Sequence, residues 1–509
     1  MKFSNGCWLE QEGCECFAPQ QAYFTKAEKD KVIICAPTSR IHNRGCTLDG
    51  INLTLVITSP MEEVLRVQTY HHLGAVVQEP AFEILETTIP LHINEKNDHI
   101  IITSGSLALE IGKNDWYMKY TRNGKLITES KGHDLALMKT DWKGFAYDKG
   151  DHTNTYMRQQ LSIGVGELIY GLGERFTPFA KNGHSVDIWN TDGETTTEQS
   201  YKNIPFYVSN KGYGVFVNHP EKVSFKVGTE MVSRTAFSVK GTYLDYFLIN
   251  GPSMKEVLVR YTDITGKPSL PAPWIFGLWL STSFTTNYDE ETVDVVRHFT
   301  RLKAKLIPYI YQTAIHASKT GIPAMRSMVL EYTNDKNCQH LDKQYMFGDS
   351  LLVAPIFNEE SRAEYYLPKG VWTNFFTGKE YKGGTWIEET HSYLSIPLMV
   401  RENSIVAIGA HDNRQDYDYA NGCELRVYAL HDGAKADTII YGSENVPELT
   451  ASVKRQGHTI LVTSDGNKPY TIRMVNLHVA TAMNGLIVID GNDSIIAPDK
   501  GANVIELTF

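Results

Sequence analysis

Between a proline-rich connector, KPSLPAP at residues 267–273, and a run of short strands that begins near residue 341, the sequence has room for one long helix and two short apolar runs. Three prolines in seven residues make the connector a stiff, extended separator of domains. The WIFGLWL that follows it, at 274–280, is short and apolar, the composition of a strand buried on both faces in a parallel sheet. After Asn287 the period changes. Val293, Val296, Phe299, Leu302, Leu306 and Ile310 recur every three or four residues, which predicts a long helix, bent at Pro308 and ended by Gly321 and Pro323. PAMRSMVLE, from Pro323 onward, reads as a second buried strand.

Both flanks read as β-structure. From about residue 20 to 250, segments such as SLALEIG alternate apolar and polar residues, and Asn123-Gly124 sits between two strand-like runs as a hairpin turn. QLSIGVGELIYGLG, GYGVFVNHP and KVSFKVG continue the pattern between Gly, Asn and Pro clusters, as in a large antiparallel sandwich. One helix closes this flank. Ser253 and Glu256 form a capping box, Met254, Val257, Leu258 and Tyr261 share a face, and Gly266 can end it. Downstream, SLLVAPIF and SIPLMVRENSIVAIG predict a second β region, and ELRVYAL, HTILVTS and ANVIELTF a further small sandwich.

Composition narrows the partners. A chain of 509 residues, 42% hydrophobic, can bury three or four cores. A net charge of −10 offers no basic surface to follow a phosphate backbone, so neither nucleic acid nor an anionic membrane is expected as a partner. The amino terminus has no charged start followed by an apolar run, and no stretch approaches the roughly 18 apolar residues of a membrane span, so a cytoplasmic location is expected. Seven cysteines are present, and in that setting disulfide pairing is not expected. Cys14 and Cys16 lack a second ligand pair at zinc spacing, so the thiols read as structural or incidental, and neither metal nor cofactor is expected.

Four long strings carry a resemblance: LIYGLGERFTPFAKNGHSVDIWNTDGETTTEQSYKNIPFYVSNKGYGVFVNHP, LPAPWIFGLWLSTSFTTNYDEET, YMFGDSLLVAPIF and YLPKGVWTNFFTGKEYKGG. Together, and in order, they resemble glycoside hydrolase family 31, most of all its bacterial α-xylosidases. The resemblance implies an amino-terminal β-sandwich, a (β/α)₈ barrel and two carboxyl-terminal β domains. It also implies a retaining mechanism that removes terminal α-linked xylose or glucose from oligosaccharides, with one aspartate as nucleophile and a second as acid/base, about 5 Å apart. The expected partner is therefore an oligosaccharide or a simple α-xyloside or α-glucoside, and the relatives' habit of assembling extends the expectation to a homo-oligomer.

The implied barrel does not fit. It takes about 250 residues, whereas roughly 70 are available, so six of its eight strands have no place. The expected fold class is thus a mainly β multidomain chain with an α/β remnant. Its parts are an N-terminal β-sandwich at 1–265, a truncated (β/α)₈ barrel at 266–340 and two C-terminal β domains at 341–408 and 409–509. The remnant holds the first strand, a late helix and the eighth strand. The family's nucleophile motif, Lys-Thr-Asp-Phe-Gly-Glu after an apolar strand, does not occur; MKTDW at 138–142 is a partial echo in the wrong domain. YDEETVDVVR, 288–297, resembles both a phrase after the family's first strand and one before its late helix, as an in-frame deletion between similar stretches would leave it. Joining first to eighth strand through an outer helix would also need a left-handed crossover, so the pair should separate or flip.

No catalytic pair is expected from the acids that remain. Asp289, Glu290 and Glu291 suit a helix start, and Glu331 and Asp349 are isolated in the sequence. Three residues are candidates for sugar binding. Trp189 and Asp192 lie in NGHSVDIWNTDGETTTEQSYKN, a loop that by resemblance leans over the barrel mouth, where an aromatic face and a carboxylate suit a pyranose; the alternative is a surface loop packed on its own domain. Phe284 follows the first strand at its carboxyl end and by resemblance lines the leaving-group subsite, or else is a core aromatic. Three functional readings follow: a disabled α-xylosidase or α-glucosidase relative, a non-catalytic carbohydrate-binding or assembly protein using the β domains, and a hydrolase with an unfamiliar site.

Overall fold

The computed structural model describes residues 2–5, 9–48, 50–71, 73, 81–141, 154–191, 200–279, 289–442 and 444–509. The chain folds as two compact units, Met1–Gly266 and Lys267–Phe509.

The first unit is antiparallel β-structure in sheets of eight, six and five strands. Period-2 alternation builds its core. In Lys31–Pro37 the residues Val32, Ile34 and Ala36 point inward, and antiparallel register sets Val32 opposite Ile57 and Ile34 opposite Leu55, all fully buried. Each buried valine, isoleucine or leucine among them contributes about 1.5–3 kcal/mol. The Asn123-Gly124 turn joins Tyr117–Arg122 to Lys125–Lys131 with φ of 47° and 77°, the left-handed pair a two-residue hairpin requires. Helix α1, Met254–Thr265, starts at the expected capping box: Ser253 Oγ accepts from the Glu256 amide and the Glu256 carboxylate accepts from the Ser253 amide. It packs closely on the eight-stranded sheet, because a Cβ on Gly214 would lie 2.7 Å from Phe206 and 2.8 Å from Val257. The Phe206 and Tyr261 rings stack there at 4.0 Å.

The second unit contains two further β modules. A six-stranded sheet with a separate two-stranded ribbon spans Met325 to Arg401, and two five-stranded sheets enclose the core of the remaining residues from Ser404. Helix α2, Glu290–Thr320, runs for 31 residues; Asp289 caps its start and Gly321, at φ 77°, closes its end. Only its second half is buried. Ala304 to Ile310 and Tyr311, Thr313, Ile315 and Ala317 pack into the unit, with the flanking Lys305 partly covered, whereas Val293 and Val296 of the expected apolar face are exposed.

Pro308 explains how the helix is fastened. A proline has no amide hydrogen, so the Ala304 carbonyl one turn earlier lacks its helical donor. The Tyr417 hydroxyl supplies one at 2.9 Å, and the next carbonyl, Lys305, accepts from the Gly409 amide at 2.7 Å. Gly409 must be glycine for this, since a Cβ there would lie 1.7 Å from the Tyr417 oxygen.

Two expected strands are corrected. WIFGLWL is not a strand: Pro273–Phe276 forms a 3₁₀ turn, with Ile275 and Gly277 amides bonded to Ala272 and Trp274, and the Lys303 ammonium reaches the Gly277 carbonyl. A doubly buried parallel strand needs a ladder on each side; without neighbours the amides close locally, and Trp274 and Trp279 remain 63% and 72% exposed. PAMRSMVLE yields only a three-residue strand, Met325–Ser327, in an antiparallel sheet, and then a single turn, α3, Met328–Glu331. Met325–Ser327 pairs with Tyr345–Phe347 and not with the WIFGLWL segment.

Candidate functional site

In the first unit the strand His184–Ile188 delivers Trp189 to the surface, where it is 52% exposed. The loop beyond is closed at its base. Asn190 bridges to Ser200, the Thr191 amide donates to the Ser200 carbonyl at 3.0 Å, and the Asn203 amide nitrogen donates to Asn190 and to the Ser200 carbonyl at 2.8 Å each. Arg175 braces the same base through the Asp187 carbonyl at 3.1 Å and the Asn203 side chain. Trp189 is thus an exposed indole beside a pinned loop base. Asp192, and in the second unit Phe284, lie outside the described residues. Arg175 and Asn203 were not among the expected residues, since nothing in their spacing links them to Trp189.

Lys181 of the same unit is buried. Its ammonium donates to the Pro178 carbonyl at 2.7 Å and to Thr177 Oγ1 at 3.1 Å. Burial, with the Arg175 charge nearby, brings its pKa down to about 8.

In the second unit, Asp289, Glu331 and Asp349 each accept hydrogen bonds within the protein. Asp289 accepts from the Thr292 amide at 2.7 Å, and this bonding at Thr292 holds its carboxyl below the ordinary range. Glu331 and Asp349 do meet, which their separation in sequence concealed. Both bond to the same nitrogen of the buried Arg326, Glu331 at 2.8 Å. Burial opposes the Arg326 charge, but these hydrogen bonds outweigh it and raise its pKa. The guanidinium cancels the charge of one of the two carboxylates and holds both at a single nitrogen, so the cluster is an ion-pair network around a buried arginine. Of the MKTDW echo, Met138 to Thr140 end strand Ala136–Thr140 of the first unit, which pairs with Cys14–Phe17, and Asp141 follows it.

Three family models match the chain. The glycosyl hydrolase 31 N-terminal galactose mutarotase-like domain covers residues 54–225. The glycosyl hydrolase family 31 C-terminal domain covers 321–406, and the C-terminal domain of α-xylosidase YicI covers 418–509. The chain belongs to glycoside hydrolase family 31. The three matches flank the stretch where a family 31 enzyme keeps its barrel. The α-xylosidase XylQ of Lactiplantibacillus pentosus is 26% identical over 720 aligned positions, covering 86% of this chain and 93% of that protein. That alignment is longer than the 509 residues available, so a long stretch of XylQ has no counterpart here. An α-xylosidase of Emericella nidulans is 41% identical over 310 residues, 58% of this chain but only 39% of that protein. Among solved structures, the cycloalternan-forming enzyme of Listeria monocytogenes superimposes with a TM-score of 0.83 at 14% identity, over 97% of this chain and 77% of that one. The family 31 dextranase of Flavobacterium johnsoniae gives 0.79 at 15% identity, over 97% and 100%. These two show likeness of fold.

This family 31 chain is mainly β, its flanking domains are in place, and among the described residues the central (β/α)₈ domain is missing. Among those residues no helix is long and apolar enough to cross a membrane.

Proposed function

We propose that the chain is a family 31 relative of α-xylosidase or α-glucosidase type that has lost hydrolysis with its barrel. On this reading residues 266–340 are the barrel's remnant between the β domains at 1–265, 341–408 and 409–509. The observation that carries it is the fate of Trp274 to Thr320: one 3₁₀ turn and one helix among the described residues, with Asp289 used as a helix cap. The ancestral substrates would be α-xylosides or α-glucosides of oligosaccharides, with Trp189, Asp192 and Phe284 as remnants of sugar recognition. Buried thiols, Cys338 and Cys423, pushed up to about 12 by burial, suit a reducing cytoplasm. Purified chain assayed on aryl α-xyloside and aryl α-glucoside should release aryl alcohol no faster than buffer. Turnover lost on changing two retained acids would overturn the reading.

A second reading, glycan binding by the β domains without turnover, is favoured by a polar groove in the second unit. Phe376, 37% exposed, faces Arg426, Asn476 and Asn492 there. An aromatic edge among amide and guanidinium donors can take a sugar's hydroxyls. Calorimetry with α-xylosyl oligosaccharides should then show saturable heat that Phe376→Ala abolishes; heat unchanged in that variant counts against it.

A further inference from the structure

Three segments distant from the catalytic remnant converge on one face of the first unit. Glu10 lies in the amino-terminal arm, where it bridges to Ser4; Cys16 lies in strand Cys14–Phe17, opposite Met138; His133 lies in the turn that follows Lys125–Lys131. A carboxylate oxygen, the Cys16 sulfur and an imidazole nitrogen all come within 4.8 Å of one another. We propose that Glu10, Cys16 and His133 form a zinc(II) site.

The donor set selects the metal. One thiolate, one imidazole and one carboxylate form the mixed set that zinc takes, whereas calcium and magnesium take oxygen alone. Thiolate and carboxylate together cancel the charge of the cation, and the thiol proton leaves to solvent as the metal–sulfur bond forms. Tetrahedral donors at about 2.0–2.3 Å from zinc stand about 3.3–3.8 Å apart, so the ligands must close by about 1 Å. Glu10 and His133 can do so, since both side chains are solvent-exposed at 37% and 68%. Three protein donors leave a fourth ligand to be supplied by solvent.

The surroundings are built to hold this geometry. Arg158, 4% exposed, donates to the His133 carbonyl at 2.7 Å and places the same nitrogen 3.9 Å from the Cys16 sulfur, so one buried guanidinium braces two ligands. Its charge is balanced by buried Glu230 at 3.6 Å. Asp134, next to His133, accepts from the Lys131 amide at 2.7 Å and fixes the turn. Sequence spacing hid the site because its ligands lie on three separate segments.

Cobalt(II) titration of the reduced, chelator-treated full chain tests the assignment. The expected result is one equivalent bound, with a sulfur-to-cobalt charge-transfer band and intense tetrahedral visible bands, displaced by zinc. Cys16→Ser should lose the charge-transfer band, and His133→Gln, at an exposed position that does not endanger folding, should weaken zinc binding by about tenfold or more. Cys35→Ser should change neither. No saturable band in the parent chain, a charge-transfer band surviving in Cys16→Ser, or zinc affinity unchanged in His133→Gln would each overturn the proposal.

Discussion

Lys181 and Arg326 are buried cations with opposite fortunes. Burial and then the neighbouring Arg175 charge put the folded pKa of Lys181 at about 8, below the ordinary 10.5. Between those values the unfolded chain binds more protons than the folded one, so stability of the first unit rises as pH climbs from about 8 towards 10.5. Lys181→Met should remove about 1–3 kcal/mol of that rise, read as a flatter pH dependence of the urea midpoint. Arg326 instead holds two carboxylates. Arg326→Met leaves Glu331 buried, 5% exposed at its side chain, without its cation, and should cost the second unit about 3–5 kcal/mol in urea denaturation. A loss under about 1 kcal/mol would mean that Glu331 finds other partners.

Among the elements, helix α2 tests how a proline can be accommodated. Tyr417→Phe should orphan the Ala304 carbonyl and cost about 1–3 kcal/mol, whereas Pro308→Ala restores an amide donor to that carbonyl. The double variant should therefore lose less than the sum of the single ones, a coupling measurable by a double-mutant cycle on urea midpoints; simple additivity would contradict the account. The same helix shows what was legible in the sequence. Its period, its Asp289 cap and its Gly321 stop are local signals, and all three appear in the structure. WIFGLWL misled because a strand's composition records neighbours this chain does not supply, and a strand without a ladder is not stable alone. Of the three expected sugar-binding residues, Trp189 is exposed at a pinned loop base, whereas Asp192 and Phe284 fall outside the described residues. The Glu331–Arg326–Asp349 and Glu10–Cys16–His133 clusters could not be read at all, because tertiary register, not spacing, brings their members together.

At the scale of the molecule, two compact units keep their own cores while, among the described residues, the catalytic domain between the matched family segments is missing. Burial explains why the flanks survive the loss: the first unit's sheets enclose their own core, and in the second unit the β modules and the second half of α2 share one, whereas Val293 and Val296 in the first half of α2 stay exposed. A retaining glycosidase must form a covalent glycosyl-enzyme, so the most direct measurement is intact mass after incubation with ring-fluorinated α-xylosyl and α-glucosyl fluorides, which trap that intermediate. The account predicts an unchanged mass. A single glycosyl adduct on an aspartate or glutamate of this chain would contradict it.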